Sequence, residues 1–386
     1  MGSQPAEPEA IPHDHHSQKR SMANTSLRKF FEATIKFESS DLIMRSGKAP
    51  MLRLRGELKP LDVPPLELEE FEKAIKDSMS PTQWEFYNEH GSLDVGCDFH
   101  LKDGSVHRFR INIFRTRDRS AIAARRVSNV ILNFEDLYLP PIMKEISNLH
   151  QGLVLLAGVT GSGKSTTIAS MLDHINKTRA CHILTIEDPI EYLFTDNKSI
   201  INQREVNMDV PSFPIALRAL VRENPDVVLI GEMRDKETFE AALQAAETGH
   251  LVFGTIHASS ASQAFGRIYD LFPQEERPAI RNMLAYQMQA FCYQKLLPTV
   301  RPDVQRVPAV EILLQSPATR KFIIEGREHE LDEVIKKNRD AGMQSFTDSL
   351  ISLVNDNFIH PKVAMTNANS PEEVKMRLKG ISSGSY

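Results

Sequence analysis

The chain has 386 residues, of which 41% are hydrophobic and 25% charged, and this composition is typical of a globular protein with two or three domains. Its net charge of −5 gives no electrostatic reason to expect a nucleic acid or an anionic membrane surface as a partner. Apolar runs such as Leu153–Ala157 are too short to span a bilayer, and three widely separated cysteines predict neither a disulfide framework nor a zinc site. These features predict a cytoplasmic protein.

The first part of the chain predicts a tail followed by a small α+β domain. Residues 1–24 are rich in Pro, Glu, His and Ser, which predicts a disordered N-terminal tail, and the domain extends over residues 25–130. It begins with an amphipathic helix whose apolar face includes Leu27 and Phe31. A strand at Met51–Leu54 follows, and after a proline-rich break a second helix is predicted through Trp84.

The same domain contains a predicted β-hairpin. The runs Leu93–Leu101 and Val106–Phe114 alternate between apolar and polar residues and are joined by an Asp-Gly turn. A third run, Ala121–Val127, would pair beside them. This pattern indicates an antiparallel sheet at the end of the domain.

A second domain of a different kind is predicted over residues 151–375, after a linker at 131–150. Short β-branched runs alternate there with helical segments, which favours a parallel sheet covered on both faces. After about residue 275 the pattern predicts helices, and residues 376–386 predict a flexible tail. The predicted strands are Val154–Ala157, His182–Ile186, Val227–Ile230 and Leu251–Thr255.

A phosphate-binding loop follows the first of these strands. The sequence Gly-Val-Thr-Gly-Ser-Gly-Lys-Ser comes after an apolar strand and opens a predicted helix, which is the context that this motif requires. Its glycines let backbone N–H groups turn towards a phosphate, and its lysine reaches the β- and γ-phosphates. We predict an ATP site with Mg²⁺ at Ser165 and nucleotide contacts from Gly158, Thr160, Gly161, Ser162, Gly163, Lys164, Ser165 and Thr166.

A carboxylate ends another apolar strand. Val227–Ile230 is followed by Gly231 and Glu232, and the end of a buried parallel strand lies at the sheet edge where α/β folds bind ligands. Glu232 would orient or deprotonate the attacking water there, unless it is an exposed loop residue. A Gly-Glu ending departs from the Asp-ending Walker B strand of many P-loop enzymes. We therefore expect a carboxylate from elsewhere to support the metal.

The acidic turn Glu187-Asp188-Pro189-Ile190-Glu191 offers such a carboxylate. It ends an apolar strand, and carboxylate oxygens suit a hard cation and its waters. We predict Glu187 as a catalytic and metal-binding residue and Glu191 as a second metal ligand. A solvated acidic turn is the alternative interpretation.

Histidines flank the strand at Leu251–Thr255. His257 follows the strand and is predicted to face the same sheet edge as Glu232, where it would contact the γ-phosphate. His250 precedes the strand and lies near the opposite edge, where a structural role fits the pattern equally well.

Arginines are concentrated around the predicted hairpin. A solvated basic face is the default interpretation of such a cluster. P-loop motors, however, commonly use an arginine from another domain or subunit to stabilise charge on the transferring phosphoryl group. Arg110 and Arg126, on predicted strands, are the candidates, and Arg218 on the helix before Glu232 is an alternative sensor.

Together these motifs resemble the PilT/PilU family of type IV pilus retraction ATPases, within the secretion-ATPase superfamily. The resemblance extends from Ser26 to about residue 375, and the shared order of elements is more specific than any single motif. The matching motifs are the Walker A motif at Gly158–Ser165, the Asp box at Ile186–Glu191, the Walker B motif ending at Gly231–Asp235 and the His box at Thr248–His257.

The resemblance implies a PAS-like N-terminal domain, a RecA-like C-terminal domain and a homohexameric ring that binds nucleotide between subunits. It also implies an ATP-hydrolysing motor for pilus retraction and twitching motility, peripheral to the cytoplasmic face of the inner membrane. The implied partners are an inner-membrane pilus platform protein and, as an open alternative, a paralogous PilT/PilU-type ATPase.

Departures from the family pattern leave alternatives open. Pilus-assembly and type II secretion ATPases usually carry an additional N-terminal domain and a four-cysteine zinc motif, neither of which the sequence shows. A retraction motif is degenerate at Phe322–Arg327, where Ile324 replaces an expected arginine. Gly342–Phe346 is closer to PilU, whereas Gly231–Asp235 is closer to PilT. The alternatives are the ATPase of a related secretion, pilus-assembly or DNA-uptake machine, and an accessory PilU-like subunit.

Overall fold

The computed structural model describes residues 21–54, 56–206 and 208–380. These residues divide into two compact units, and the boundary along the chain falls between Val130 and Ile131. Two later segments, Pro189–Leu193 and Glu205–Ser212, also belong to the first unit, although the strands around them belong to the second. The sequence did not predict this return of the chain to the first unit.

The first unit is a six-stranded antiparallel sheet in the order β3-β2-β1-β6-β5-β4, packed against helices. The predicted strand at 51–54, the hairpin and the third strand beside it are confirmed. The elements in chain order are α1 (Arg28–Lys36), β1 (Asp41–Arg45), β2 (Met51–Leu54), β3 (Glu57–Pro60), α2 (Leu68–Ser78), α3 (Pro81–His90), β4 (Ser92–His100), β5 (Val106–Thr116) and β6 (Arg119–Arg126).

One hydrophobic core lies between this sheet and its helices. Phe109 and Ile111 of β5 are fully buried while Arg110 between them is exposed, because successive side chains of a strand point to opposite faces. Phe31 of α1 stacks on Phe99 of β4 with the ring centroids 4.5 Å apart. Helix α1 therefore packs through the apolar face that its sequence predicted.

Two predicted boundaries in the first unit are wrong. The second helix, predicted through Trp84, is two helices, because Ser80 forms a capping box that begins α3. The predicted tail extends too far, since Met22–Asn24 forms a 3-10 helix in which Met22 is only 2% exposed. The remainder of the predicted tail, residues 1–20, lies outside the described residues.

The second unit is a seven-stranded sheet in the order β13-β12-β7-β11-β10-β8-β9, with helices around it. The four predicted strands are confirmed and run parallel. No helix in the described part of the chain is long and apolar enough to cross a bilayer. The elements are α4 (Ile142–Ser147), β7 (Gly152–Ala157), α5 (Lys164–Thr178), β8 (His182–Glu187), β9 (Ile200–Glu205), α6 (Phe213–Glu223), β10 (Val227–Ile230), α7 (Lys236–Glu247), β11 (Leu251–Ile256), α8 (Ala261–Asp270), α9 (Arg277–Gln287), β12 (Met288–Pro298), β13 (Arg306–Leu314), α10 (Pro317–Ile324), α11 (Leu331–Lys337), α12 (Phe346–Asn355), α13 (Pro361–Asn367) and α14 (Pro371–Leu378).

The helical prediction for the chain after residue 275 is wrong for two long strands. Strands β12 and β13 form an antiparallel hairpin, and β12 runs parallel to β7, so both extend the sheet. Both strands are buried along most of their length, and their sequences therefore lack the alternation that marks a half-exposed strand. The predicted flexible tail also begins too early, because α14 continues to Leu378; residues 381–386 lie outside the described chain.

The parallel strands of the second unit end at one edge of the sheet. Ala157 at the end of β7 pairs with Ile256 of β11 and with Tyr293 of β12. Ile230 at the end of β10 pairs with Ile186 of β8. The residues that follow these strands therefore emerge together at this edge, which is where an open α/β fold binds its ligands.

Candidate active site

The loop Gly158–Gly163 joins β7 to α5 in a backbone conformation that requires glycine. Gly158, Gly161 and Gly163 have φ angles of +152°, +77° and +89°, which side-chain-bearing residues rarely adopt. A Cβ atom at Gly158 would also lie 2.4 Å from the carbonyl oxygen of Gln294. Backbone conformation and close contact thus explain the glycine spacing of the motif.

The side chain of Lys164 folds back across this loop. Its Nζ donates to the carbonyl oxygens of Gly158 at 2.8 Å and Val159 at 3.2 Å. A bound phosphate would offer the ammonium charged acceptors, which make stronger hydrogen bonds than neutral carbonyls. The lysine is therefore placed where a phosphate would sit in the loop.

The rest of the loop is also compatible with a phosphate ligand. The hydroxyl oxygen of Ser162 is buried and has no hydrogen-bond partner among the described residues, a state that costs about 1–3 kcal/mol. Ser165 and Thr166 lie in the first turn of α5, where backbone N–H groups favour an anion. Thr160 and Gly161 are exposed at the tip of the loop. These features match those that a nucleotide phosphate needs.

Gln294 of β12 supports the loop, although no sequence motif marked it. Its Nε2 donates to the carbonyl oxygen of Ser162 at 2.8 Å, and its Oε1 accepts from the hydroxyl of Thr167 at 2.8 Å. The residue is 2% exposed, so both bonds are shielded from water. The contact joins residues 132 positions apart in the sequence, which is why the motif gave no indication of it.

Glu232 lies beside His257 and Lys164. Its Oε1 is 3.0 Å from Nε2 of His257, and its Oε2 accepts a hydrogen bond from Arg234. Burial raises the pKa of Glu232, but the hydrogen bond and charge of Arg234, together with the charges of His257 and Lys164, lower it below its ordinary value. Glu232 is therefore an ionised carboxylate at neutral pH. Arg234 belongs to the Walker B motif, but the motif alone indicated no role for it.

Close packing around two glycines places the Glu232 turn at the sheet edge. The N–H of Gly231 donates to the carbonyl oxygen of Ile186 at 2.8 Å, and a Cβ atom at Gly231 would lie 3.2 Å from the Cα of Glu187. A Cβ atom at Gly254 would lie 2.3 Å from the sulfur of Met233. Close packing therefore favours a glycine immediately before Glu232.

Glu187 ends β8 and is 7% exposed. Its Oε1 accepts hydrogen bonds from the hydroxyl of Thr185 at 2.6 Å and from Nε2 of Gln203 at 3.3 Å, and the sequence singled out neither donor. A carboxylate held in this way has a fixed orientation. Among the described residues no cluster of three or more acidic, His or Cys side chains could hold a metal ion. Mg²⁺ commonly binds through one or two carboxylates and takes its other ligands from phosphates and water, so Glu187 has the chemistry of such a ligand.

Four predicted site residues are not assembled with these groups. Glu191, Arg110 and Arg126 belong to the first unit, whereas the P-loop belongs to the second. Glu191 and Arg110 are exposed, and Arg126 donates to a backbone carbonyl of α1. Arg218 lies in the second unit, where it is exposed and donates to a backbone carbonyl of its own helix, α6. Their predicted roles remain predictions.

Comparisons with known proteins show which family the chain resembles over most of its length. A family model described as "Type II/IV secretion system protein" matches residues 98–352. The chain is 40% identical to the type IV pilus retraction ATPase PilT of Pseudomonas aeruginosa, over 86% of this chain and 95% of that one. It is 34% identical to the type IV pilus ATPase PilU of the same bacterium, over 92% and 91% of the two chains. The crystal structure of the pilus retraction motor PilT with bound ADP matches with a TM-score of 0.82 and 39% identity, over 91% of this chain and 99% of that one. The chain therefore belongs to the type II/IV secretion system protein family, among its PilT- and PilU-type members.

Proposed function

We propose that this protein is an ATP-hydrolysing motor subunit that powers type IV pilus retraction and twitching motility. The observation that carries the proposal is the ionised Glu232, whose Oε1 lies 3.0 Å from Nε2 of His257 and within electrostatic reach of Lys164 beside the P-loop. The similarity to PilT over most of both chains supports the choice of machine. The match to a PilT structure containing ADP supports nucleotide binding at this loop.

Each residue of the site has a proposed role. Lys164 and the backbone N–H groups of Gly158–Gly163 would bind the β- and γ-phosphates of ATP. Glu232 would orient the attacking water and accept its proton, and His257 would sense the γ-phosphate. A magnesium ion, when bound, would neutralise charge on the phosphates, and Ser165 and Glu187 would hold it.

The remaining predicted residues would act from another domain or subunit, or as a sensor. In a homohexameric ring, an arginine from outside the P-loop unit would stabilise charge on the transferring phosphoryl group, and Arg110 and Arg126 are the candidates. Arg218, which belongs to the same unit as the P-loop, is the alternative sensor. Glu191 is the candidate for a further metal ligand. The proposed place of work is the cytoplasmic face of the inner membrane, on a pilus platform protein and without a nucleic-acid partner.

The Glu232→Gln variant tests the enzymatic part of the proposal. The amide keeps the shape of the side chain but is a far weaker base, so we expect the ATPase rate to fall by about 10²- to 10⁴-fold. Binding of a fluorescent ADP analogue should stay within about twofold, because Lys164 and the loop are unchanged. Glu247→Gln, an exposed glutamate at the end of α7, is the matched control. Hydrolysis by Glu232→Gln at the wild-type rate would exclude this role.

An accessory PilU-like subunit is a second candidate function. Two observations favour it: the 34% identity to PilU over 92% of the chain, and an exposed Ile324 where an arginine is expected. Steady-state ATPase assays of the purified protein, alone and mixed with a PilT-type homologue, separate the two candidates. Deletion of the gene should leave pili extended if the machine is a retraction machine, and remove pili if it assembles them.

A further inference from the structure

Glu311 is a buried acidic residue on β13 to which the proposed reaction gives no role. It is 4% exposed. It pairs across the hairpin with Tyr293 of β12, which in turn pairs with Ala157 at the end of β7. Glu311 therefore lies near the same edge of the sheet as the P-loop and the segment that follows β11.

The carboxylate of Glu311 holds the first residue of helix α8. Its Oε1 accepts a hydrogen bond from the N–H of Ala261, the first residue of α8, at 2.8 Å. The backbone N–H of Phe346, the first residue of α12, also lowers the pKa of this carboxyl. The first N–H groups of a helix have no partner within the helix and favour a negative charge. Glu311 therefore anchors α8 to the sheet and interacts with the start of α12.

Helix α8 in turn holds the histidine of the active site. Arg267 in this helix donates through Nη1 to the carbonyl oxygen of His257 at 3.0 Å. His257 is separated from Ala261 by only three residues, and its ring is 3.0 Å from Glu232. Helix α8 thus restrains His257 in two ways, through the hydrogen bond from Arg267 and through the short segment that joins His257 to Ala261.

We propose that Glu311 is a positioning residue for ATP hydrolysis, whose carboxylate fixes the start of α8 and thereby the imidazole that orients Glu232. The inference rests on the proposed function. Because the N–H of Phe346 also favours the charge of this carboxylate, Glu311 connects the start of α12 to the active site as well. A shift of α12 would then change the position of His257 through Glu311 and α8, without any direct contact between α12 and His257.

The ionisation of Glu311 changes within the range of ordinary assays. The pKa of its carboxyl is raised to about 7: burial raises it most and the charge of Asp332 on α11 adds to the rise, while the N–H groups of Ala261 and Phe346 lower it. Tyr293, its neighbour across the hairpin on β12, is a further titratable group that interacts with it. Because two N–H donors complement a negative charge, the ionised form should be the one that holds α8 in place.

The Glu311→Gln variant is the principal test. The amide oxygen still accepts a hydrogen bond but carries no charge, so we expect kcat at pH 8 to fall about tenfold, as for other residues that orient an active-site group. Because the P-loop is untouched, KM and affinity for fluorescent ADP should stay within about twofold. The wild-type kcat should rise with pH through about 7, and this inflection should be absent from the variant.

Thermal unfolding separates positioning from a merely structural role. A carboxyl whose pKa is about 7 in the folded protein, against an ordinary 4.5, lowers the free energy of unfolding of the protein as the pH rises from about 4.5 to about 7. Glu311→Gln has no such titration, so at pH 8 it should unfold at a temperature equal to or higher than that of the wild type. We therefore expect a lower kcat with an unchanged or higher unfolding temperature. A merely structural role would lower both the kcat and the unfolding temperature.

Two further variants make the test independent of one substitution. Glu311→Asp keeps the charge but shortens the side chain, so it should have a reduced kcat and retain a pH inflection. Asp332→Asn removes the charge that raises the pKa of Glu311, so its inflection should move to lower pH with an unchanged maximal rate. Wild-type kcat and pH profile in Glu311→Gln would overturn the inference, as would a loss of kcat that only follows lower stability. If Glu232→Gln is inactive while Glu311→Gln is normal, this inference alone fails.

Discussion

The two units of the protein use buried and half-buried charges in different ways. In the second unit, Glu232, His257 and Lys164 come together at an open sheet edge where a ligand can reach them. In the first unit, Arg108 is 14% exposed and is paired at 3.1 Å with both Asp98 and Glu205. The charges of the second unit are open to a ligand, whereas those of the first unit neutralise one another.

The arginines of β5 show why this difference matters. Arg108 and Arg110 are two residues apart on β5 and therefore point to the same face of the sheet. Glu205, the partner of Arg108, also accepts a hydrogen bond from the N–H of Ile190 at 3.2 Å, so the arginine is part of a structural network that holds returning segments of the chain. Arg110 is exposed and remains available to another molecule. The ion-pair partners of an arginine, and not its spacing in the sequence, distinguish a structural arginine from a candidate functional one.

The largest effect is expected when a methyl group is added to a glycine of the P-loop, and the same change at a glycine of the first unit is the comparison. Gly158→Ala places a Cβ atom 2.4 Å from a backbone oxygen at a φ of +152°. We expect ADP affinity to fall at least about 1,000-fold, equivalent to about 4 kcal/mol. Gly104→Ala in the β4–β5 turn also has a positive φ but meets no atom within 4 Å, so it should cost only about 1–2 kcal/mol of stability and leave ADP binding intact. Equal ADP binding by the two variants would contradict this comparison.

A smaller effect is expected from Arg108→Met. The substitution leaves the buried carboxylate of Glu205 without its cation, so the first unit should lose about 3 kcal/mol of unfolding free energy. Trp84, the one tryptophan of the sequence, lies in α3 of this unit, and its fluorescence in a urea titration reports the unit directly. Arg110→Met is the control and should change stability by no more than about 0.5 kcal/mol. If the two variants unfold at the same urea concentration, Arg108 is not a structural residue.

The smallest expected effect concerns the support of the P-loop by Gln294. Gln294→Ala leaves the carbonyl oxygen of Ser162 and the hydroxyl of Thr167 without their partner, so ADP affinity should fall about tenfold, or 1.4 kcal/mol. Gln315→Ala removes a comparable hydrogen bond, to the carbonyl oxygen of Ala285, at the opposite end of β12 from the nucleotide loop. The control should bind ADP like the wild type. Equal affinities in both variants would show that the loop does not depend on β12.

Much of the fold followed from local patterns. The fold class, an α/β P-loop unit preceded by a smaller α+β unit, is confirmed by the sheet topology and by the match to PilT. The β4–β5 hairpin was predictable because one face of it is exposed and the other buried. Strands β12 and β13 were missed because both of their faces are covered, and such a run cannot be distinguished from a buried helix by periodicity.

The sequence by itself determined the elements whose signal is local: the glycine-rich loop, the strand that precedes it and the carboxylates that end neighbouring strands. Local backbone conformation and the common edge of a parallel sheet are enough to place them. Only the tertiary structure decided which side chains hold those elements: Gln294 under the loop, Arg234 on Glu232 and Glu311 at the start of α8. The contacts of Gln294 and Glu311 depend on the β12–β13 hairpin, which packing brings to β7, and that of Arg234 depends on a turn whose shape is set by its neighbours. Packing of this kind leaves no periodic trace in the sequence.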